Sequence, residues 1–90
     1  MKLVDKIIDN TWIDLSEIAE FQPGDKLELY NAGVNSSEIY FTENESTPVQ
    51  GTFYKIIKSQ TGLTITVGQQ PLYVKAGFRV ASLMLNKIEV

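Results

Sequence analysis

Lys26-Leu27-Glu28-Leu29-Tyr30-Asn31-Ala32-Gly33 is the stretch that decides the fold class. Leu27 and Leu29 alternate with Lys26, Glu28 and Tyr30, the period-two pattern of a strand with one buried face. Asn31-Ala32-Gly33 then breaks the run. The same period recurs on either side. Ile39 and Phe41 alternate through Glu38–Thr42. Leu63, Ile65 and Val67 oppose Thr64 and Thr66, and Leu72 and Val74 oppose Tyr73 and Lys75. Upstream, Thr11–Ser16 sets Ile13 and Leu15 against Trp12 and Asp14, and Gly51–Lys58 is rich in β-branched and aromatic residues. Turn chemistry falls between these runs. Pro23-Gly24 fits the centre of a type II turn, Glu43–Pro48 is a polar loop, and Gln60-Thr61-Gly62 and Ala76-Gly77 reverse the chain. Short alternating segments at this spacing predict an all-β fold, an antiparallel β-sandwich or jelly roll of roughly seven strands over residues 11–90.

The two ends read differently. In Met1–Asn10, the residues Leu3, Val4, Ile7 and Ile8 share one helical face, yet the segment is too short for a stable isolated helix. It reads as an N-terminal arm or short helix (residues 1–10), open to pairing with a neighbouring chain. Ser16–Phe21 reads as one helical turn with Ser16 as its N-cap. Phe78–Val90 is apolar on both faces: Phe78, Val80, Met84, Ile88 and Val90 on one, Ala81, Leu83 and Leu85 on the other. Either something covers both faces or a bulge near Asn86 switches the phase. A subunit interface built from Leu3, Val4, Ile7 and Ile8 with Leu83, Met84 and Leu85 answers both features. The expected partner is therefore another copy of the chain.

Composition removes much of the remaining chemistry. The chain has 90 residues, enough for one domain with a modest core, and contains no cysteine and no histidine. Thiolate metal sites, disulfides, cysteine nucleophiles, histidine-dependent relays and His-based metal motifs are excluded. The net charge of −3 argues against a general nucleic-acid partner, which needs cationic charge. Residues 1–50 carry three lysines against ten acidic groups, and residues 51–90 five cations against one glutamate, so the halves either complement each other across an interface or interleave within one sandwich. No run of residues is long and apolar enough for a membrane-spanning helix, and Met1–Trp12 lacks the apolar core of a secretory signal. The sequons at Asn35 and Asn44 read as accidents of polar loops.

Catalysis would rest on carboxylates, and the nearest pair, Glu43 and Glu45, sits in a solvated loop with nothing to raise a pKa. Glu43, Asn44 and Glu45 offer oxygen ligands for calcium but lack the acidic spacing and central glycine of a calcium loop. No glycine-rich phosphate loop is present. Lys55, Lys58, Lys75 and Arg79 lie near Phe53, Tyr54, Tyr73 and Phe78, too dispersed for a nucleic-acid surface. No enzyme activity and no cofactor or metal is expected. Tyr30, Tyr40, Tyr54 and Tyr73 lie on strand faces, where an exposed row makes a glycan or partner surface and a covered one makes cross-strand packing. Trp12 reads as a core or interface anchor.

Taken together, Trp12-Ile13-Asp14-Leu15-Ser16, Gly24-Asp25 before Leu27–Gly33, Ile39-Tyr40-Phe41-Thr42-Glu43 with downstream Pro48, and Leu72-Tyr73-Val74-Lys75-Ala76 resemble the small β-sandwich modules of tailed-bacteriophage virions. The resemblance spans most of residues 11–85, and members often carry Trp where this chain has Tyr73. It implies a head-fibre, decoration or tail-associated structural protein, without catalytic residues or cofactor. Such a protein is made in the host cytoplasm without a signal and assembled into the virion. It packs there on capsid or tail proteins and on copies of itself, often as a trimer.

Overall fold

The computed structural model describes residues 1–34 and 36–89; Asn35 of the first sequon and Val90 of the terminal segment lie outside the described residues. Among the described residues there are eight strands: β1 (Lys2–Asp9), β2 (Ile13–Asp14), β3 (Lys26–Asn31), β4 (Glu38–Glu43), β5 (Lys55–Lys58), β6 (Gly62–Thr66), β7 (Leu72–Ala76) and β8 (Val80–Ile88). They form two antiparallel sheets, ordered β1-β8-β3-β6 and β2-β7-β4-β5. Only β4 and β5 are consecutive within one sheet; every other connection crosses from one sheet to the other. That alternation is the winding of a jelly roll, two sheets closed around one core.

The core follows from the alternation. Leu27, Leu29, Leu83 and Leu85 from the first sheet meet Ile39, Leu72, Val74 and Ala76 from the second, all fully or almost fully buried. Each buried leucine or isoleucine stabilises the fold by about 1.5–3 kcal/mol relative to exposure. Leu15 plugs one end from a 3-10 turn, Leu15–Glu17. Its N-cap is Asp14 and not Ser16: the Asp14 carboxylate accepts from Ser16 N (2.9 Å) and Ser16 Oγ (2.7 Å). The turn starts earlier than expected because Leu15, its first residue, is the one that must be buried. At Pro23-Gly24 the expected turn is present, with Gly24 at φ +94° and Asp25 N donating to Gln22 O (3.1 Å).

The first ten residues are neither a helix nor a free arm. They form edge strand β1, antiparallel to β8 of the same chain. The irregularity expected near Asn86 lies on β1 instead: Lys2 pairs with Asn86 and Val4 with Leu85, leaving Leu3 as the extra residue. On its other side β8 runs in unbroken register with β3 from Ile88 to Leu83.

The apolarity of β8 is therefore largely intramolecular. Leu83 and Leu85 are fully buried in the chain's own core and Ile8 nearly so, while Leu3 and Val4 pack against that core. Of the other expected interface residues, Ile7 is exposed at the edge, and Leu3, Val4 and Met84 are half-buried, Met84 on the outer face opposite Asp5 and Tyr30. The two oppositely charged halves of the sequence interleave, each sheet drawing two strands from each half.

Asn31, which ends the deciding stretch, is the one fully buried polar residue among the described residues. Its Nδ2 donates to Ile57 O (3.0 Å) and Ser37 O (3.1 Å), and its Oδ1 accepts from Gly33 N (2.9 Å). Gln60, at φ +60°, donates from Nε2 to Ala32 O and Gly33 O and from its backbone to Asn31 O. The Asn-Ala-Gly break is thus a junction that ties the β3–β4 crossing to the β5–β6 turn.

Candidate functional site

The outer face of the second sheet carries the site. Tyr40 on β4 pairs with Lys75 on β7 and with Ile56 on β5, so these three side chains lie in one row across the sheet. Trp12, just before β2, and Tyr54, just before β5, join them. Tyr54 stacks on Tyr40 with ring centroids 4.2 Å apart and planes 20° apart, and meets Trp12 edge-on at 6.2 Å. The Lys75 ammonium stands 5.0 Å from the Trp12 ring centre and 5.9 Å from that of Tyr40. Gly77 makes room for this arrangement, since a Cβ there would lie 2.8 Å from the Tyr40 ring. Burial, helped by the neighbouring Tyr54 and Glu38, pushes the Tyr40 phenol above its ordinary value.

A groove of about 340 Å³ opens beside these rings, lined by Trp12, Tyr54 and Lys75 and by Pro48, Val49, Gln50 and Thr52 opposite. Its far wall is fixed. Thr52 N donates to Val49 O (3.1 Å), Val49 N donates to Thr52 Oγ1 (3.2 Å), Gly51 takes φ +93°, and Pro48 is buried. The turn holds exposed Gln50 at its tip. Lys75 takes no part in the two salt bridges among the described residues, Lys2–Asp5 and Lys87–Asp25.

Of the four tyrosines singled out in the sequence, Tyr40 and Tyr54 come together and the other two do not join them. Tyr30 lies on the outer face of the first sheet, its ring 3.3 Å from where a Cβ of Gly62 would be and its hydroxyl donating to Gln60 Oε1 (3.2 Å). Tyr73 is buried beside Thr42, whose hydroxyl ties the loop after β4 to this face at Phe53 O (2.9 Å). Trp12 is half-buried on this face and does not belong to the core. Comparison with protein-family models, with characterised proteins and with solved structures finds no match to this chain.

Sequence reasoning missed Lys75 and the Val49–Thr52 rim as parts of one site. Alternation places Tyr40 and Lys75 outward, but only strand order makes them neighbours. It also missed one end of the sandwich, where Val34, Phe78 and Val80 line a recess of about 250 Å³ together with Ser36, Ser37, Glu38 and Arg79, and Phe78 is 75% exposed. Phe78 lies in the β7–β8 crossing and not in the terminal strand. A recess of about 590 Å³ between β1 and the 3-10 turn contains the Lys87–Asp25 pair (3.5 Å), so its lysine already has a partner, and Glu20 lines it as well. In the loop after β4, Asn44 Nδ2 donates to Ser46 O (2.8 Å), and no three acidic side chains converge among the described residues.

Proposed function

We propose that this chain is a non-enzymatic structural module of a tailed-bacteriophage virion, docking on neighbouring capsid or tail proteins. One observation carries the reading. Three of the four segments that resemble such modules, Trp12–Ser16, Ile39–Glu43 and Leu72–Ala76, supply the adjacent strands β2, β4 and β7 of a single sheet. The fourth, Leu27–Gly33, ends in the Asn31 junction that anchors the crossing into that sheet. Jelly rolls recur in viral capsid and lectin domains, a fold-level analogy that agrees with the reading. The docking surface we assign is the end of the sandwich where Val34, Phe78 and Val80 are exposed beside Glu38 and Arg79. Large apolar side chains clustered at a loop end mark contact surfaces more often than they serve a free monomer.

Two experiments test this. Particles banded from lysates of cells that carry the reading frame should contain peptides of this chain in many copies. Recovery only from the soluble fraction would reject the virion role. Phe78→Ser should leave the melting temperature of the isolated chain unchanged while lowering its incorporation. Unchanged incorporation would move docking away from that end.

A further inference from the structure

We propose that the groove between the Trp12–Tyr54 wall and the Val49–Thr52 turn binds an acidic saccharide, with Lys75 meeting the sugar's carboxylate. The inference goes beyond the virion role and does not depend on it. Four features of the groove point to this ligand class.

First, its wall is aromatic: Trp12 and Tyr54 line it, and aromatic rings pack against the C–H face of a pyranose. Second, its rim adds the Gln50 amide and the Thr52 hydroxyl to apolar Pro48 and Val49, with no charge among them. An amide both donates and accepts, as vicinal hydroxyls require. Third, the one charge in the lining is Lys75. It is half-buried, placed over the Trp12 ring, and has no carboxylate within salt-bridge distance among the described residues. An ammonium held by rings alone gains a charge-assisted bond when an anion arrives. Fourth, the walls are set before any ligand comes: the turn is closed by its own hydrogen bonds and Tyr54 is braced by Tyr40. A preformed site loses less entropy on binding.

An acidic peptide shares the charge but fits the geometry less well. Peptides that add to a sheet use an exposed strand edge, and the two edge strands of this sheet, β2 and β5, are only two and four residues long.

Trp12 is the sole tryptophan, so its emission reports directly on the groove. The full chain would be titrated with tetragalacturonic acid, with maltotetraose as the neutral sugar and hexaglutamate as the acidic peptide, at fixed low salt. The proposal expects saturable quenching by tetragalacturonate alone. Lys75→Gln, checked for native circular dichroism, should weaken it at least about tenfold, the scale of one charge-assisted hydrogen bond. Gln50→Ala, at an exposed turn tip away from the core, should also weaken binding. Silence with all three probes would overturn the site, and so would an equal response to maltotetraose that Lys75→Gln leaves intact. Hexaglutamate binding as tightly as the sugar would overturn the saccharide assignment. None of these results bears on whether the chain is found in particles.

Discussion

The two outer faces of the sandwich use similar residues to opposite ends. On the first sheet, Tyr30 covers the gap at Gly62 and ties its hydroxyl to Gln60, while Glu28 accepts from Asn86 across the strands (3.3 Å). Its aromatic ring is used up in finishing the sheet. On the second, Tyr40, Tyr54 and Trp12 pack around Lys75, which forms no salt bridge among the described residues, and leave a groove open. An outward tyrosine on a strand is thus no sign of function by itself. What decides is whether the neighbouring strand offers it a vacancy to fill, as Gly62 does for Tyr30, or a second ring to build on.

The largest effect that would break this comparison concerns β8, where Leu83 and Leu85 are fully buried and Met84 between them is half-buried. Leu83→Ala should destabilise the chain by about 2–5 kcal/mol, the usual result of deleting a buried leucine side chain. Met84→Gln, one residue along on the outer face, should cost less than about 1 kcal/mol, as surface changes do. Denaturant titration measures both. Equal costs would mean that β8 is covered on both sides after all.

A smaller effect separates the junction from the site. Asn31→Ala removes the donor for two backbone carbonyls and should cost about 1–3 kcal/mol. Gly77→Ala drives a methyl against the Tyr40 ring and should cost a comparable amount, about 1–3 kcal/mol, through overpacking. Only the second change should alter the near-ultraviolet dichroism of the aromatic cluster and the emission of Trp12. If both variants alter those signals, the junction and the aromatic face are one cooperative unit.

The smallest effect is electrostatic. With its phenol held above the ordinary range near pH 10, Tyr40 keeps its proton in the folded chain at pH values where the unfolded chain has lost it. The stability from that difference is fully present below about pH 10 and declines as pH rises through Tyr40's own, higher value. Tyr40→Phe should therefore show a shallower alkaline loss of stability than the parent. An identical profile would mean that Tyr40 is as open to water as a surface tyrosine.

Much of this was legible in the residues. Strict alternation in Lys26–Tyr30, Glu38–Thr42 and Leu72–Lys75 fixes which side chains face inward, and all six inward positions are buried. Alternation says nothing, however, about which strands are neighbours. The meeting of Tyr40 with Lys75, and of Tyr30 with Gly62, depends on strand order and stayed hidden. The N-terminal segment misled for a related reason: its apolar residues fit a helical face, and only pairing with β8, some eighty residues away in sequence, makes it a strand. With β1 in place, the doubly apolar β8 no longer needs a second subunit to bury Leu83 and Leu85. The groove was unreadable because its far wall is a loop turn, Val49–Thr52, whose position is set by hydrogen bonds and not by periodicity.

Hydroxyl-radical footprinting of the folded chain, alone and saturated with tetragalacturonate, tests most directly whether one outer face is finished and the other open. The expected result is that Trp12 and Tyr54 oxidise much faster than buried Tyr73 in the free chain. The ligand should then slow Trp12 and Tyr54 while leaving Tyr30 and Phe78 unchanged. Protection centred on Tyr30, or a Tyr73 that oxidises as fast as Tyr54, would contradict the account.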